Sequence, residues 1–131
     1  YHDAKRLQDI LDGLPEHIAV LDPDGTIRMV NAAWKRFAKA NGDPGLLVTG
    51  PGCNYLKVCK SDFPNEGTSA SEALRGLRGV LEGTLPGFST EYPCHSPTEE
   101  RWYVMNVAPI QGPTFGAVVS HINVTSWYKR S

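Results

Sequence analysis

Phe88-Ser-Thr-Glu-Tyr-Pro-Cys-His-Ser-Pro97, followed closely by Arg101-Trp-Tyr-Val-Met-Asn-Val-Ala-Pro-Ile110, decides the fold. Both phrases mix β-branched and aromatic residues with alternating polar ones, the pattern of half-buried strands. Phe88 to His95 and Arg101 to Ile110 read as two strands, and Phe115 to Val124 as a third. The connections Ser96 to Glu100 and Gln111 to Thr114 are too short for the crossover that parallel strands require, so antiparallel pairing is nearly forced. The resulting meander gathers aromatic, sulfur and imidazole groups without a recognisable catalytic set. It reads as a surface built to hold something, which points to sensing rather than turnover.

Upstream, Leu7, Ile10, Leu11 and Leu14 recur at helical spacing between Asp3, a candidate cap, and the stop signals Gly13 and Pro15. This amphipathic helix either packs on the domain or pairs with a partner helix. His17 to Leu21 and Thr26 to Val30 are short strand runs joined by the turn Asp22-Pro-Asp-Gly25. Asn31 can cap a helix reaching Asn41, with Trp34, Phe37, Ala38 and Asn41 on one face and Gly42 as its left-handed stop. Gly42 to Gly52 reads as a loop, Asn54 to Cys59 as a short helix, and Ser61 to Thr68 as another loop. Ser69 and Glu72 have capping-box separation and open a helix to about Glu82, with Leu74, Leu77 and Leu81 aligned. Gly76 and Gly79 weaken that helix by roughly 1 kcal/mol each relative to alanine, as expected where another group comes close.

The 131 residues suit one domain with one core. Thirteen basic against fourteen acidic residues leave a net charge of −1, which gives no electrostatic footprint for nucleic acid. No apolar run approaches the ~18 residues of a membrane span, and no signal peptide is visible. Cys53, Cys59 and Cys94 form neither a disulfide framework nor a metal-binding spacing, so a reducing, cytoplasmic compartment is expected. The cytoplasmic part of a membrane-anchored receptor would satisfy the same reading.

Further phrases align with one known family. They are Ile10-Leu-Asp-Gly-Leu-Pro15, Val20-Leu-Asp-Pro-Asp-Gly25, Val30-Asn-Ala-Ala-Trp34, Gly52-Cys-Asn-Tyr-Leu-Lys-Val-Cys59, Glu91-Tyr-Pro-Cys-His-Ser-Pro97, Arg101-Trp102 and Val118-Val-Ser-His-Ile-Asn-Val-Thr125. In this order, from Leu7 to Thr125, they resemble the PAS sensory domain. The resemblance implies an α+β fold, a five-stranded antiparallel sheet in the order 2-1-5-4-3 with helices on one face, plus an N-terminal amphipathic helix. It divides the chain into a flanking helix (1–14), the PAS domain (15–125) and the start of a linker (126–131) to an output domain in the same chain. It implies a bacterial sensor protein, a histidine kinase or a diguanylate cyclase of the GGDEF type. It also implies a homodimer through the N-terminal helix or the outer sheet face, and ligands held between the sheet and its helices. Family members commonly end the last strand in Asp-Ile-Thr. Here Asn123-Val124-Thr125 replaces the acid by an amide, which keeps part of the geometry and marks Asn123 and Thr125 as coupling residues.

Strand alternation proposes an inward set: Tyr92 and Cys94, then Tyr103, Met105 and Val107, then Ala117, Val119 and His121. Trp34, Phe37, Tyr55 and Cys59 close it from the helical side. Plain core packing is the more frequent role of any single aromatic residue or methionine at such positions. His121 stands, by resemblance, where flavin-binding LOV photosensors place a glutamine. One reading makes it a half-buried imidazole titrating near neutrality, able to report a proton or bind an anion. The other makes it a core histidine bonded to a neighbouring hydroxyl or carbonyl.

The cofactor is left unknown, but two are argued against. Gly52-Cys53-Asn54-Tyr55 puts tyrosine where adduct-forming flavin domains carry their reactive cysteine. The long helix has no histidine where haem-binding relatives ligate iron. His17, His95 and His121 offer metal ligands with Cys94, but Cys94 and His95 point to opposite faces of a strand, so no metal site is expected. Buried Cys59 and Cys94 would be inert thiols rather than redox sensors. An enzyme would draw on Glu91, Glu99 and Glu100 with the histidines, yet no nucleophile elbow, phosphate loop or metal motif accompanies them. The leading expectation is therefore a non-enzymatic signal-input module that binds a small molecule or relays a conformational change. Its alternative is a ligand-free structural domain that mediates dimerisation or signal relay.

Overall fold

A computed structural model of the chain describes residues 2–57, 68–93, 98–110 and 116–130. The elements run α1 (His2–Asp12), β1 (His17–Leu21), β2 (Ile27–Val30), α2 (Ala32–Ala40), α3 (Thr68–Glu82), β3 (Phe88–Pro93), β4 (Trp102–Pro109), β5 (Ala117–Asn123) and α4 (Thr125–Arg130). The five strands form one antiparallel sheet in the order β2-β1-β5-β4-β3, as the resemblance implies.

Local chemistry sets the first hairpin. Gly25 adopts φ +91° and its N–H donates to the Asp22 carbonyl at 2.9 Å, closing the turn. Asp24 accepts the Thr26 N–H at 2.9 Å, and its hydrogen bonds to Thr26 hold its carboxyl below the usual range. A register shift between Val20 and Leu21 marks an irregularity where β1 runs into this turn.

Asn31 caps α2, its Oδ1 accepting the Trp34 N–H at 3.0 Å. At the other end Gly42 turns left-handed at φ +95°. Asn41 does not join the buried face as expected. It is exposed, and its side-chain amide donates to the Phe37 carbonyl at 2.8 Å, because the last turn of the helix lies beyond the edge of the core. The following loop is organised by Asp43, whose carboxylate accepts the N–H groups of Leu47, Val48 and Thr49 and the Thr49 hydroxyl. These bonds, the Thr49 hydroxyl first, hold its carboxyl below the usual range. The loop then presents the Thr49 carbonyl to the Trp34 indole N–H at 2.9 Å.

Helix α3 begins at Thr68, so Ser69 lies inside the first turn rather than at the cap position expected for it. Leu77 is fully buried and contributes roughly 1.5–3 kcal/mol, while Leu74 and Leu81 pack half-buried beside the core. The two glycines of this helix have a structural reason. A Cβ at Gly76 would run into the Phe88 ring of β3, and one at Gly79 into Leu85.

The inner sheet face carries Ala19, Leu21, Tyr92, Tyr103, Met105, Val107, Ala117 and Val119, all buried against α2 and α3. Trp102, Val104 and Ile122 alternate to the opposite face and are half-buried. Strand β3 ends at Pro93, so Cys94, His95 and the connection after them lie outside the described residues, as do Cys59, Phe115 and the turn 111–114.

Helix α1 is docked by polar contacts rather than by its leucines. Gln8 donates to the Val30 carbonyl at 3.0 Å, and Asp12 accepts the Ala32 N–H at 2.7 Å. Asn31, completely buried, accepts the Ile18 N–H at 3.0 Å and donates to the carbonyls of Leu11 at 2.9 Å and Glu16 at 2.8 Å.

Two substitutions check this architecture by urea unfolding. Gly76→Ala is expected to lose about 1–3 kcal/mol despite its better helix propensity, because Phe88 has to move. Arg78→Ala, exposed on the same helix, should change stability by less than about 0.5 kcal/mol. Asn31→Ala removes the side-chain partner of the Ile18 and Trp34 amides and of the Glu16 carbonyl and should cost at least about 3 kcal/mol. A loss under about 1 kcal/mol would show that the Asn31 bonds are replaceable.

Candidate functional site

The site is assembled around β5. Alternation sends Ala117, Val119 and His121 inward, and the register sets His121 opposite Met105 on β4 and His17 on β1. His121 is only 8% exposed. Its Nδ1 lies 2.6 Å from the Tyr92 hydroxyl and its Nε2 2.7 Å from the Tyr55 hydroxyl. A neutral imidazole has one N–H and one lone pair, so one phenol accepts a hydrogen bond from the ring while the other donates to it. The Trp34 ring lies 5.8 Å from His121 and 5.6 Å from Tyr55, centroid to centroid. Tyr92 stacks on Tyr103 at 5.8 Å.

Burial dominates the electrostatics. Desolvation, with a smaller contribution from the neighbouring His17, pushes the His121 pKa from 6.5 down to about 3. The expectation of a half-buried imidazole titrating near neutrality is therefore corrected. Deep burial with two hydroxyl partners, and with no opposite charge beside it among the described residues, keeps the ring neutral. Anion binding by a charged His121 falls with it.

Sequence reasoning weighed His17 beside His121 only as a metal ligand and left it out of the inward set. It projects from β1 between Phe37, at 4.6 Å, and Tyr103, at 5.9 Å, and its Nδ1 is buried without a hydrogen-bond partner. Desolvation first, then the positive charge of Arg36, lowers its pKa. The missed signal was available: β1 begins at His17, and a sheet in which β1 adjoins β5 sets that residue beside His121.

The structure thus brings Trp34, Phe37, Tyr55, Tyr92, Tyr103 and His121 into one layer between α2 and the sheet, with Met105, Val107 and Val119 in the apolar core next to it. Cys59 and Cys94 lie outside the described residues. Glu91, Glu99 and Glu100 are exposed. Among the described residues no group of three His, Cys, Asp or Glu side chains could hold a metal ion.

Asn123 and Thr125, expected to couple strand and linker, form a clasp at the end of β5. Asn123 Oδ1 accepts the Thr125 N–H at 2.9 Å, using an oxygen that aspartate would also supply. Thr125 Oγ1 accepts the Trp102 N–H at 2.9 Å, and the Trp102 carbonyl accepts the Val124 N–H at 2.8 Å. Helix α4 starts from this clasp and exposes Trp127. No described helix is long and apolar enough to cross a membrane.

Comparison with known proteins agrees with this geometry. A sequence profile of the PAS fold matches residues 11–126. An uncharacterized 104.1 kDa protein in the hypE 3' region of Rhodobacter capsulatus is 48% identical over 126 residues, which cover 95% of this chain and 13% of that protein. The chain therefore spans a small part of the length of that relative. Among solved structures, the PAS domain of Bordetella pertussis BvgS superposes with a TM-score of 0.65 at 16% identity, covering 99% of this chain and 93% of the other. The sensor region of a sensor histidine kinase gives a TM-score of 0.60 at 18% identity, covering 86% of this chain and 40% of the other.

A pH dependence follows from His121. The folded state holds the ring neutral down to about pH 3, while an unfolded imidazole takes up its proton near 6.5. Between these values the unfolded chain binds more protons, so stability is full above 6.5 and is lost as the pH falls. The loss should approach roughly 1.4 kcal/mol per pH unit. Urea unfolding across this window measures the slope, and His121→Gln should flatten it. An unchanged slope in that variant would place the responsible proton elsewhere.

Proposed function

The chain belongs to the PAS fold family, and from that premise we propose that it is a signal-input module of a larger bacterial signalling protein, a sensor histidine kinase or a diguanylate cyclase. The supporting observation is the path of β5. This strand carries His121 into the aromatic interior and ends in the Asn123–Trp102–Thr125 clasp from which α4 departs. A small molecule that displaces a phenol from His121, or a neighbouring domain that shifts the sheet, changes the strand feeding the output helix. The domain itself does no chemistry in this reading, and its place is the cytoplasm. The alternative, a ligand-free relay, is favoured by one specific observation: both nitrogens of His121 are already engaged by the protein's own tyrosines.

Self-association supplies the second half of the proposal. Leu7 and Ile10 remain exposed on α1 at a spacing of three, and Leu14 is exposed just beyond its end. Pairing with a second copy through this apolar edge would set two output segments side by side.

Hydrogen exchange tests the relay. Tyr92→Phe removes the hydroxyl at His121 Nδ1 and should speed exchange across Asn123 to Trp127 several-fold beyond any change at buried α3 amides such as that of Leu77. A change confined to β3 and β5, or equal at all amides, would sink the relay. Sedimentation equilibrium tests the pairing: Leu7→Gln with Ile10→Gln should convert a dimer to a monomer, and a wild-type chain that stays monomeric at high concentration overturns it. Native mass spectrometry separates the readings of the interior, since a bare chain mass favours the ligand-free relay.

A further inference from the structure

We infer that a groove on the outward side of α3 docks an acidic helix of a partner protein, with two of its carboxylates seated on Arg75 and Arg78. The site lies outside the aromatic interior and goes beyond the sensory reading above, whether or not that interior takes a ligand.

The groove is built by the end of α3 and the chain that leaves it. Leu77 is buried in the core, while Arg75 and Arg78 are exposed, so the two arginines project from the other side of the helix. Gly83 turns left-handed at φ +83° and reverses the chain. The N–H groups of Thr84 and Leu85 then donate to the Gly79 carbonyl at 2.9 and 3.1 Å, and the Thr84 hydroxyl donates to it at 3.2 Å. These bonds hold Leu85 over Gly79, which has no Cβ to obstruct it. Helix and reversal together line an open groove of about 610 Å³, to which half-buried Leu74 and exposed Glu82 also contribute.

Two observations select the partner. The first is charge. Glu72 precedes Arg75 by three residues and Glu82 follows Arg78 by four, spacings at which ion pairs form on a helix. Among the described residues, however, neither arginine has an ion pair or a hydrogen bond. On a chain whose net charge is −1, the groove thus gathers two guanidinium groups with free donors against the single carboxylate of Glu82. A cationic partner would be repelled, and a wholly apolar one would desolvate the guanidinium groups without compensation. Carboxylates satisfy them with charge-assisted, forked hydrogen bonds.

The second is spacing. Three residues of helix advance about 4.5 Å, which is the separation of Arg75 and Arg78 along the axis of α3. Acidic residues three or four apart share one face of a helix at about 4.5–6 Å of rise, whereas same-face residues of a strand lie about 6.4–6.8 Å apart. A helix with two acids one turn apart therefore matches the arginines better than an extended segment does. Glu82, one turn beyond Arg78, limits the match to two carboxylates, and a leucine beside them covers Leu74 and Leu85.

The probe is a fluorescein-labelled, helix-stabilised peptide with two glutamates three residues apart and a neighbouring leucine. Its controls carry glutamine or lysine in place of both glutamates. Fluorescence anisotropy with the full chain should show the glutamate peptide binding at least about tenfold more tightly than either control, and more weakly as salt rises. Arg75→Glu with Arg78→Glu should weaken the glutamate peptide at least about tenfold and strengthen the lysine peptide. Arg75→Gln with Arg78→Gln removes the charge without reversing it and should also weaken the glutamate peptide, with the melting temperature unchanged. Lys35→Glu with Lys39→Glu makes the same charge change on exposed positions of α2 and should leave the affinity nearly unchanged.

No binding of the glutamate peptide, equal binding of the glutamine peptide, or an equal loss in the α2 variant would overturn the inference. Phosphatidylserine vesicles bound, or a dimer of the chain held, through Arg75 and Arg78 while the peptide stays unbound would assign the groove to a membrane surface or to a second copy, and would overturn it equally.

Discussion

One buried amide holds the inner wall of this domain in place. Asn31 satisfies its oxygen with the N–H groups of Ile18 and Trp34, and its nitrogen with the carbonyls of Leu11 and Glu16. Those partners belong to the end of α1, the segment before β1, β1 itself and the first turn of α2. No other side chain of this size offers two donors and an acceptor oxygen together. Aspartate would set a carboxylate against backbone carbonyls, and leucine would leave the Ile18 and Trp34 amides without this partner. Because Ile18 adjoins His17 and Trp34 faces His121, the position of the whole aromatic layer is referred back to this amide.

A second tether fixes the far side of the same wall. The Asp43 carboxylate gathers the loop after α2 and aims the Thr49 carbonyl at the Trp34 indole, so Trp34 is held by its backbone through Asn31 and by its ring through the loop. The strand order then does the rest. It sets β1, which follows α1, directly beside β5, which precedes α4. The two ends of the domain therefore meet at adjacent central strands, and His17 and His121 face each other across that pairing. One strand pair therefore connects this layer with both terminal helices.

How much of this was legible in the sequence depended on whether its cause was local. The Asp22–Gly25 turn, the Asn31 cap and the inward phase of β4 and β5 follow from residues near one another in the chain, and each could be read directly. The sheet order came from resemblance, since nothing in the local pattern says which strand neighbours which. His17 escaped because its role exists only once β1 lies beside β5. The near-neutral pKa expected for His121 failed for the same reason: desolvation is a sum over distant segments, here Tyr55, Trp34 and Tyr92, that no window of sequence contains. Gly76 and Gly79 lie between these cases. Their cost to a helix was plain, but the Phe88 and Leu85 side chains that explain it are brought there by the return of the chain into β3.

The filled interior and a sensory role are compatible on energetic grounds. Each tyrosine–histidine bond contributes only about 1 kcal/mol net, because water or a ligand can replace it. Swinging one phenol away from a neutral ring therefore costs little more than the apolar burial that the phenol gives up. A charged histidine in the same place would behave differently. It would need a fixed counterion, and breaking such a pair leaves an uncompensated buried charge, so the core would be locked rather than switchable. Neutrality at His121 would keep a closed state close in energy to an open one, and any ligand would shift that balance only by as much as it prefers the open arrangement. The same desolvation that lowers the His121 pKa leaves its two hydrogen bonds to tyrosine free of any fixed charge.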